Sequence, residues 1–156
     1  MTKTTTEFYH KELAVNCFNA VWDLIDLKVR TKEEDEKMIH LAHTSFWHWT
    51  EVEGHTAKNL SIGYWQLSRV YATAGLGERS LYYAERCLSV SLEGKIETFY
   101  IGYAYETLSR AHALLGDYDR SIELTEKAMD YAKEIVDEGS KEMLIKDLQE
   151  IEIIRN

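Results

Sequence analysis

The chain has 156 residues, 45% of them hydrophobic, which is enough length to bury a core and too much apolar content for a disordered chain. With 27 acidic and 18 basic residues, its formal net charge of -9 repels phosphate backbones and anionic lipid surfaces. Neither nucleic acid nor a membrane is therefore an expected partner, whereas a cationic one is favoured.

The absence of proline, with only 8 glycines, predicts long uninterrupted helices. The polar start Met1-Thr2-Lys3-Thr4-Thr5-Thr6 has no apolar core behind it, so no signal peptide is expected. Apolar residues at helical spacing predict a first helix from about Thr6 to Leu27, with Leu13, Val21, Leu24 and Ile25 on its inner stripe. Thr31 and Glu34 have capping-box spacing and open a second helix through Met38, Ile39, Ala42, Phe46, Trp49 and Val52, ending near Gly54. A third helix covers about Ala57 to Ala74 and stops at Gly75-Leu76-Gly77. The fourth runs from about Glu78 to Leu92 and the fifth from about Ile96 to Leu115, closed by Gly116-Asp117. The sixth spans about Tyr118 to Val136. Ser140 is the expected N-cap of a seventh, with Leu144, Leu148 and Ile151 on one face.

No apolar run approaches the roughly 20 residues that cross a bilayer. Cys17 and Cys87 fall within helical patterns and read as reduced, buried thiols, so the cytoplasm is the expected compartment. The class is all-α, with about seven helices stacked as antiparallel pairs in one domain over residues 1–156. Within it, 6–53 is an irregular first pair, 57–93 and 96–137 are repeated pairs, and 140–154 is a capping helix.

The repetition is visible at an offset of 41 residues, where Leu67-Ser68-Arg69 matches Leu108-Ser109-Arg110. At the same offset Tyr64 matches Tyr105, Gly75 matches Gly116, Ser80 matches Ser121, and Leu88 matches Met129. The spacings Tyr64-x2-Leu67-Ser68-x2-Tyr71 and Tyr105-x2-Leu108-Ser109-x2-His112, with the turn Gly116-Asp117-Tyr118, resemble the tetratricopeptide repeat over residues 61–134. Tyrosine stands for that family's leading tryptophan, the closing proline is missing, and the period exceeds the usual figure of about 34. The longer period is similar to elongated tetratricopeptide variants in some peptide-sensing bacterial regulators and motor light chains. The resemblance implies a right-handed superhelix. A second, narrower resemblance rests on His43-Thr44-Ser45-Phe46-Trp47-His48-Trp49 and on Trp65-Gln66-Leu67-Ser68-Arg69-Val70-Tyr71. These strings are similar to a family of small uncharacterised bacterial proteins, which implies a bacterial cytoplasmic origin and no particular activity.

The tetratricopeptide resemblance implies a groove lined by Ile62, Trp65, Arg69 and Thr73 from the third helix, and by Tyr103, Glu106, Arg110 and Leu114 from the fifth. Trp65, Arg69, Tyr103, Glu106 and Arg110 combine aromatic area with bidentate carboxylate binders, so a peptide with an acidic group or free C-terminus is one expected ligand. Alternatively, Arg69 and Arg110 pair with Glu106 and neighbouring acids and merely fix the stack. The expected function is a non-enzymatic module that binds a protein or peptide segment. A self-associating regulatory or structural homodimer is the second expectation.

A small metalloenzyme is the third. His40 and His43, three apart on the second helix, could both reach one metal, and Glu7-x-x-His10 has a spacing used in di-iron bundles. No second such motif occurs and no cofactor is expected; aromatic-flanked histidines are more often packed or half-exposed. Trp47 and Trp49, two apart on one helix, cannot both face the core, so one is expected at an interface. No nucleophile elbow, phosphate loop or dinucleotide fingerprint is present. Cys87 aligns with Ala128, where the repeat needs a small buried residue, which outweighs a thiolate role beside Arg86.

Overall fold

The computed structural model describes the backbone of residues 5–156 and the side chains of residues 9–156. The polar segment 1–4 and the side chain of Glu7, and with it the Glu7–His10 pair, lie outside the described residues. Among the described residues seven helices follow one another: α1 (Thr5–Ile25), α2 (Lys32–Glu51), α3 (Ala57–Thr73), α4 (Gly77–Glu93), α5 (Thr98–Leu114), α6 (Tyr118–Lys133) and α7 (Glu138–Arg155). No strand occurs among the described residues. The protein is all-helical, with the expected number of helices.

Each helix packs on the next, and α5 also packs beside α3 and α7. Helix α5 is the central element, buried continuously from Ile101 to Ala111. Its small residues let neighbours approach: a Cβ at Gly102 would lie 2.7 Å from Leu144 Cδ2 on α7. One buried cluster surrounds α5 with Leu124, Ala128, Leu144, Leu148 and Ile151. A second joins Val21, Met38, Ala42, Leu67 and Val70 from α1, α2 and α3.

The 41-residue offset is a structural repeat in its details. Ser68 Oγ donates to the Ser80 carbonyl at 2.9 Å, and Ser109 Oγ donates to that of Ser121 at 2.8 Å. All four serines are fully buried, so a small hydroxyl at each site permits close helix approach and satisfies a buried carbonyl. The two repeated turns match bond for bond. Leu76 N–H donates to Tyr71 O and Gly75 N–H to Ala72 O; Asp117 N–H donates to His112 O and Gly116 N–H to Ala113 O. This is the double closure in which a left-handed residue ends a helix, and Gly75 (φ 78°) and Gly116 (φ 82°) supply it.

Helix starts are capped by side chains. Thr31 and Glu34 form the expected capping box, and Thr56 with Asn59 forms a second that a rule restricted to Glu misses. Two boundaries differ from expectation. Helix α6 ends at Lys133, and α7 is capped by Asp137, whose Oδ2 accepts Ser140 N–H and Oγ–H at 2.9 and 2.8 Å. Ser140 thus sits inside the helix, because a carboxylate three residues earlier satisfies the open amides better than a hydroxyl does. On α1, Leu13 faces solvent at 43% exposure and its neighbour Ala14 is buried, so the inner stripe is shifted by one residue at that end. Of the thiols, Cys87 is buried and Cys17 only half-buried; both are free.

Candidate functional site

The residues expected in the groove converge on Glu106. Its carboxylate is fully buried on α5. Arg110, one turn on, donates through Nε and Nη2 to Oε1 at 3.0 and 2.8 Å. Arg69 Nη1 on α3 donates to the same oxygen at 3.1 Å, and Trp65 Nε1 donates to Oε2 at 3.2 Å. Helix α7 completes the cluster. Tyr103 OH donates to Asp147 Oδ2 at 2.7 Å, and Arg110 Nη2 donates to the Asp147 carbonyl at 3.2 Å. Arg69 Nη2 lies 3.8 Å from Asp147 Oδ1 and 3.7 Å from Glu150 Oε2.

Burial pushes the Glu106 carboxyl up, but the Arg110 and Arg69 guanidiniums outweigh it and hold the group below the usual carboxylate range. Asp147 moves the other way: burial, with Glu106 nearby, raises it despite the Tyr103 hydroxyl and Arg69. Burial, and next the bond to Asp147, raise the Tyr103 phenol. Every buried side-chain nitrogen and oxygen among the described residues has a hydrogen-bond partner. The carboxylates that pair with Arg69 and Arg110 thus come from the chain's own α5 and α7. Arg110, at 7% exposure, has little surface left for a ligand.

What opens to solvent above this network is aromatic. A cavity of about 360 Å³ is walled by Trp22, Ile62, Trp65, Phe99, Tyr103 and Met143, with Arg69 and Asp147 as its charged lining. Trp22 and Trp65 have ring centroids 5.5 Å apart, Trp65 meets Tyr103 edge-on at 5.6 Å, and Phe99 meets Tyr103 at 5.1 Å. Contacts of this kind fix ring orientation beyond simple burial. A second hollow of about 210 Å³ adjoins across Ile62, formed with Val15, Phe18, Trp49 and Asn59.

Of the groove residues expected from sequence, Ile62, Trp65, Arg69 and Tyr103 line the cavity; Glu106 and Arg110 lie buried in the network. Thr73 turns its hydroxyl to the Arg69 carbonyl, and Leu114 is 36% exposed at the end of α5. Sequence reasoning missed Trp22, Phe99, Met143, Asp147 and Glu150. Phe99 stands four residues before Tyr103 and could have been found by helical spacing. The others sit on α1 and α7, outside residues 61–134, which the tetratricopeptide resemblance covers.

The histidines divide. His40 is exposed, whereas His43 turns inward and its Nε2 makes a 2.8 Å hydrogen bond with Tyr71 OH. Among the described residues, no group of three or more His, Cys, Asp or Glu side chains could hold a metal ion. His48 and His10 make a hydrogen bond through their Nδ1 atoms at 2.8 Å, which links α2 to α1. Trp47 lies edge-on to His10 and is 54% exposed, while Trp49 lines the second hollow, so the two tryptophans do face apart. Burial pushes the Cys87 thiol up to about 12, which leaves it protonated and unreactive.

Burial lowers the pKa of His43, and the His40 and Arg79 charges add to the effect; burial and His10 do the same to His48. Both favour the neutral imidazole when folded. As pH falls below the ordinary value of 6.5, the unfolded chain takes up these protons first, so stability declines from there down through the folded-state values. Melting temperature is expected to fall between pH 7.5 and 5.5, and the fall should shrink in His43→Gln. An equally steep fall in that variant would remove His43 from the account.

No helix of the described residues is long and apolar enough to cross a membrane. Neither protein-family models, nor curated proteins, nor solved structures give a match to this chain.

Proposed function

We propose that the chain is a non-enzymatic interaction module of tetratricopeptide-like helix pairs, cytoplasmic and bacterial. It takes a peptide or protein segment on the face formed by α1, α3, α5 and α7. The observation that carries this reading is the pair of adjoining apolar hollows divided by Ile62, one walled by aromatic rings over a buried ionic network. Two neighbouring apolar hollows suit successive side chains of one segment, and rigid aromatic walls supply contact area at low entropic cost. The ionic network serves as the floor: it locks Trp65, Arg69 and Tyr103 in place before any ligand arrives.

Peptides selected from a random display library should carry two apolar residues. Ile62→Glu, which puts a charge between the hollows, should weaken them at least tenfold, roughly 1.4 kcal/mol or more. Trp47→Ala, at an exposed position on α2, should leave them unchanged. Selected peptides indifferent to Ile62→Glu would move the site elsewhere. A homodimer is the second reading, supported by the exposed indole of Trp47; a monomeric mass at micromolar concentration would end it.

A further inference from the structure

The charges around the cavity do not balance. Three carboxylates, Glu106, Asp147 and Glu150, meet two guanidiniums, Arg69 and Arg110. Glu106 is buried and saturated, with three donors on Oε1 and one on Oε2. Glu150 differs. Its side chain is 46% exposed, and it approaches Arg69 and Arg110 only at 3.7 and 3.9 Å, beyond hydrogen-bonding distance. Asp147 has Oδ2 bonded to Tyr103, but its Oδ1 is 3.8 Å from the nearest guanidinium nitrogen. Acceptor capacity is therefore left over at Asp147, which lines the charged end of the cavity, and at Glu150, one turn further along α7 beside the lining residue Arg69. Lys58, which lies over the Tyr100 ring, does not use it, because its ammonium is 2.9 Å from Glu97.

We infer that the segment taken by this face carries a lysine or arginine next to its apolar anchor, with Glu150 and Asp147 as the acceptors. The inference rests on the peptide-binding reading above and names the chemistry of its ligand. A carboxylate-bearing ligand finds Arg110 7% exposed and bonded to Glu106 and the Asp147 carbonyl, and would meet Arg69 Nη2 only beside Asp147 and Glu150, which repel it. A cation meets a local excess of one negative charge, on a chain whose formal net charge is -9. The long-range field and the local acceptors thus act with the same sign, steering the ligand as well as holding it.

The test uses N-acetyl-Phe-Lys-amide and N-acetyl-Phe-Glu-amide, titrated against the whole chain at 50 mM salt. Binding is followed by indole NMR signals of Trp22 and Trp65. The lysine dipeptide is expected to bind at least fivefold more tightly. That preference should shrink both in Glu150→Gln and at 500 mM salt, where exposed charges are screened. Equal or tighter binding of the glutamate dipeptide overturns the charge inference and leaves the groove in place. No shift from either dipeptide at millimolar concentration overturns the groove reading and this inference together.

Discussion

Glu106→Ala is expected to lower the unfolding free energy by about 3–5 kcal/mol, the usual range for removing one partner of a buried ion pair. Among the described residues, Glu106 is the only acceptor within hydrogen-bonding distance for Arg69 Nη1, Arg110 Nε and Trp65 Nε1. Its removal leaves Arg110 buried at 7% exposure, with the Asp147 carbonyl as its remaining hydrogen-bond acceptor. Glu106→Gln keeps the shape and one acceptor oxygen and should cost less. The two variants separate further by pH. The Glu106 pKa is below its ordinary 4.5 when folded, so its contribution is fully present above 4.5 and is lost as pH falls through the folded value. Asp147 contributes with the opposite sign, since its raised value makes protonation easier in the folded chain. The acid limb of a stability–pH curve should therefore be shallower in Glu106→Gln than in the parent. Denaturant unfolding at several pH values measures both quantities. A loss under about 1 kcal/mol in Glu106→Ala would show that water reaches Arg110 and that the network is not closed.

The legible part of this molecule was whatever obeys a local period or a repeat. Helical spacing placed all seven helices, and the 41-residue offset anticipated both glycine turns and the buried serines, because each of those features is set within a single helix pair. Trp65, Arg69, Tyr103, Glu106 and Arg110 followed from the tetratricopeptide resemblance and not from a period; they do come together, but Glu106 and Arg110 lie buried beneath the cavity. The pairing of Arg69 and Arg110 with Glu106 was one of two readings the sequence left open, and it is the one the structure shows. Whether Arg69 and Arg110 face a ligand or internal acids depends on where α7 settles, and no period connects Asp147 or Glu150 to α3 and α5. The inner stripe of α1 was misplaced at Leu13 because Ala14, the residue that packs, is too small to register as an apolar signal. Trp22 was invisible as a site residue because α1 lies outside the repeat. Its ring nonetheless forms a wall of the cavity against Trp65.

Leu144→Ala should destabilise the chain by about 2–5 kcal/mol, as removal of a fully buried leucine does where the surroundings relax only partly. The site depends on the same contact, since α7 presents Met143 and Asp147 to the cavity from the turn that Leu144 anchors against α5. The contact has a reciprocal half at Gly102. A methyl group there would lie 2.7 Å from Leu144 Cδ2 and 3.5 Å from Tyr131 Cβ, so Gly102→Ala alone should overpack the α5–α7 seam by about 1–3 kcal/mol. Working against that loss is the gain of roughly 0.5–1 kcal/mol from replacing a mid-helix glycine by alanine. In the Leu144→Ala background the obstacle is gone: the methyl group fills part of the cavity, and only the helix gain remains. Gly102→Ala should therefore change sign between the two backgrounds, with a coupling of about 0.5–3 kcal/mol in a double-mutant cycle read by denaturant unfolding. Additive effects would mean that Leu144 can swing away unaided. In that case α7 is held mainly by Leu148 and Ile151, and the wall it gives the cavity is soft enough to reshape around a bound side chain.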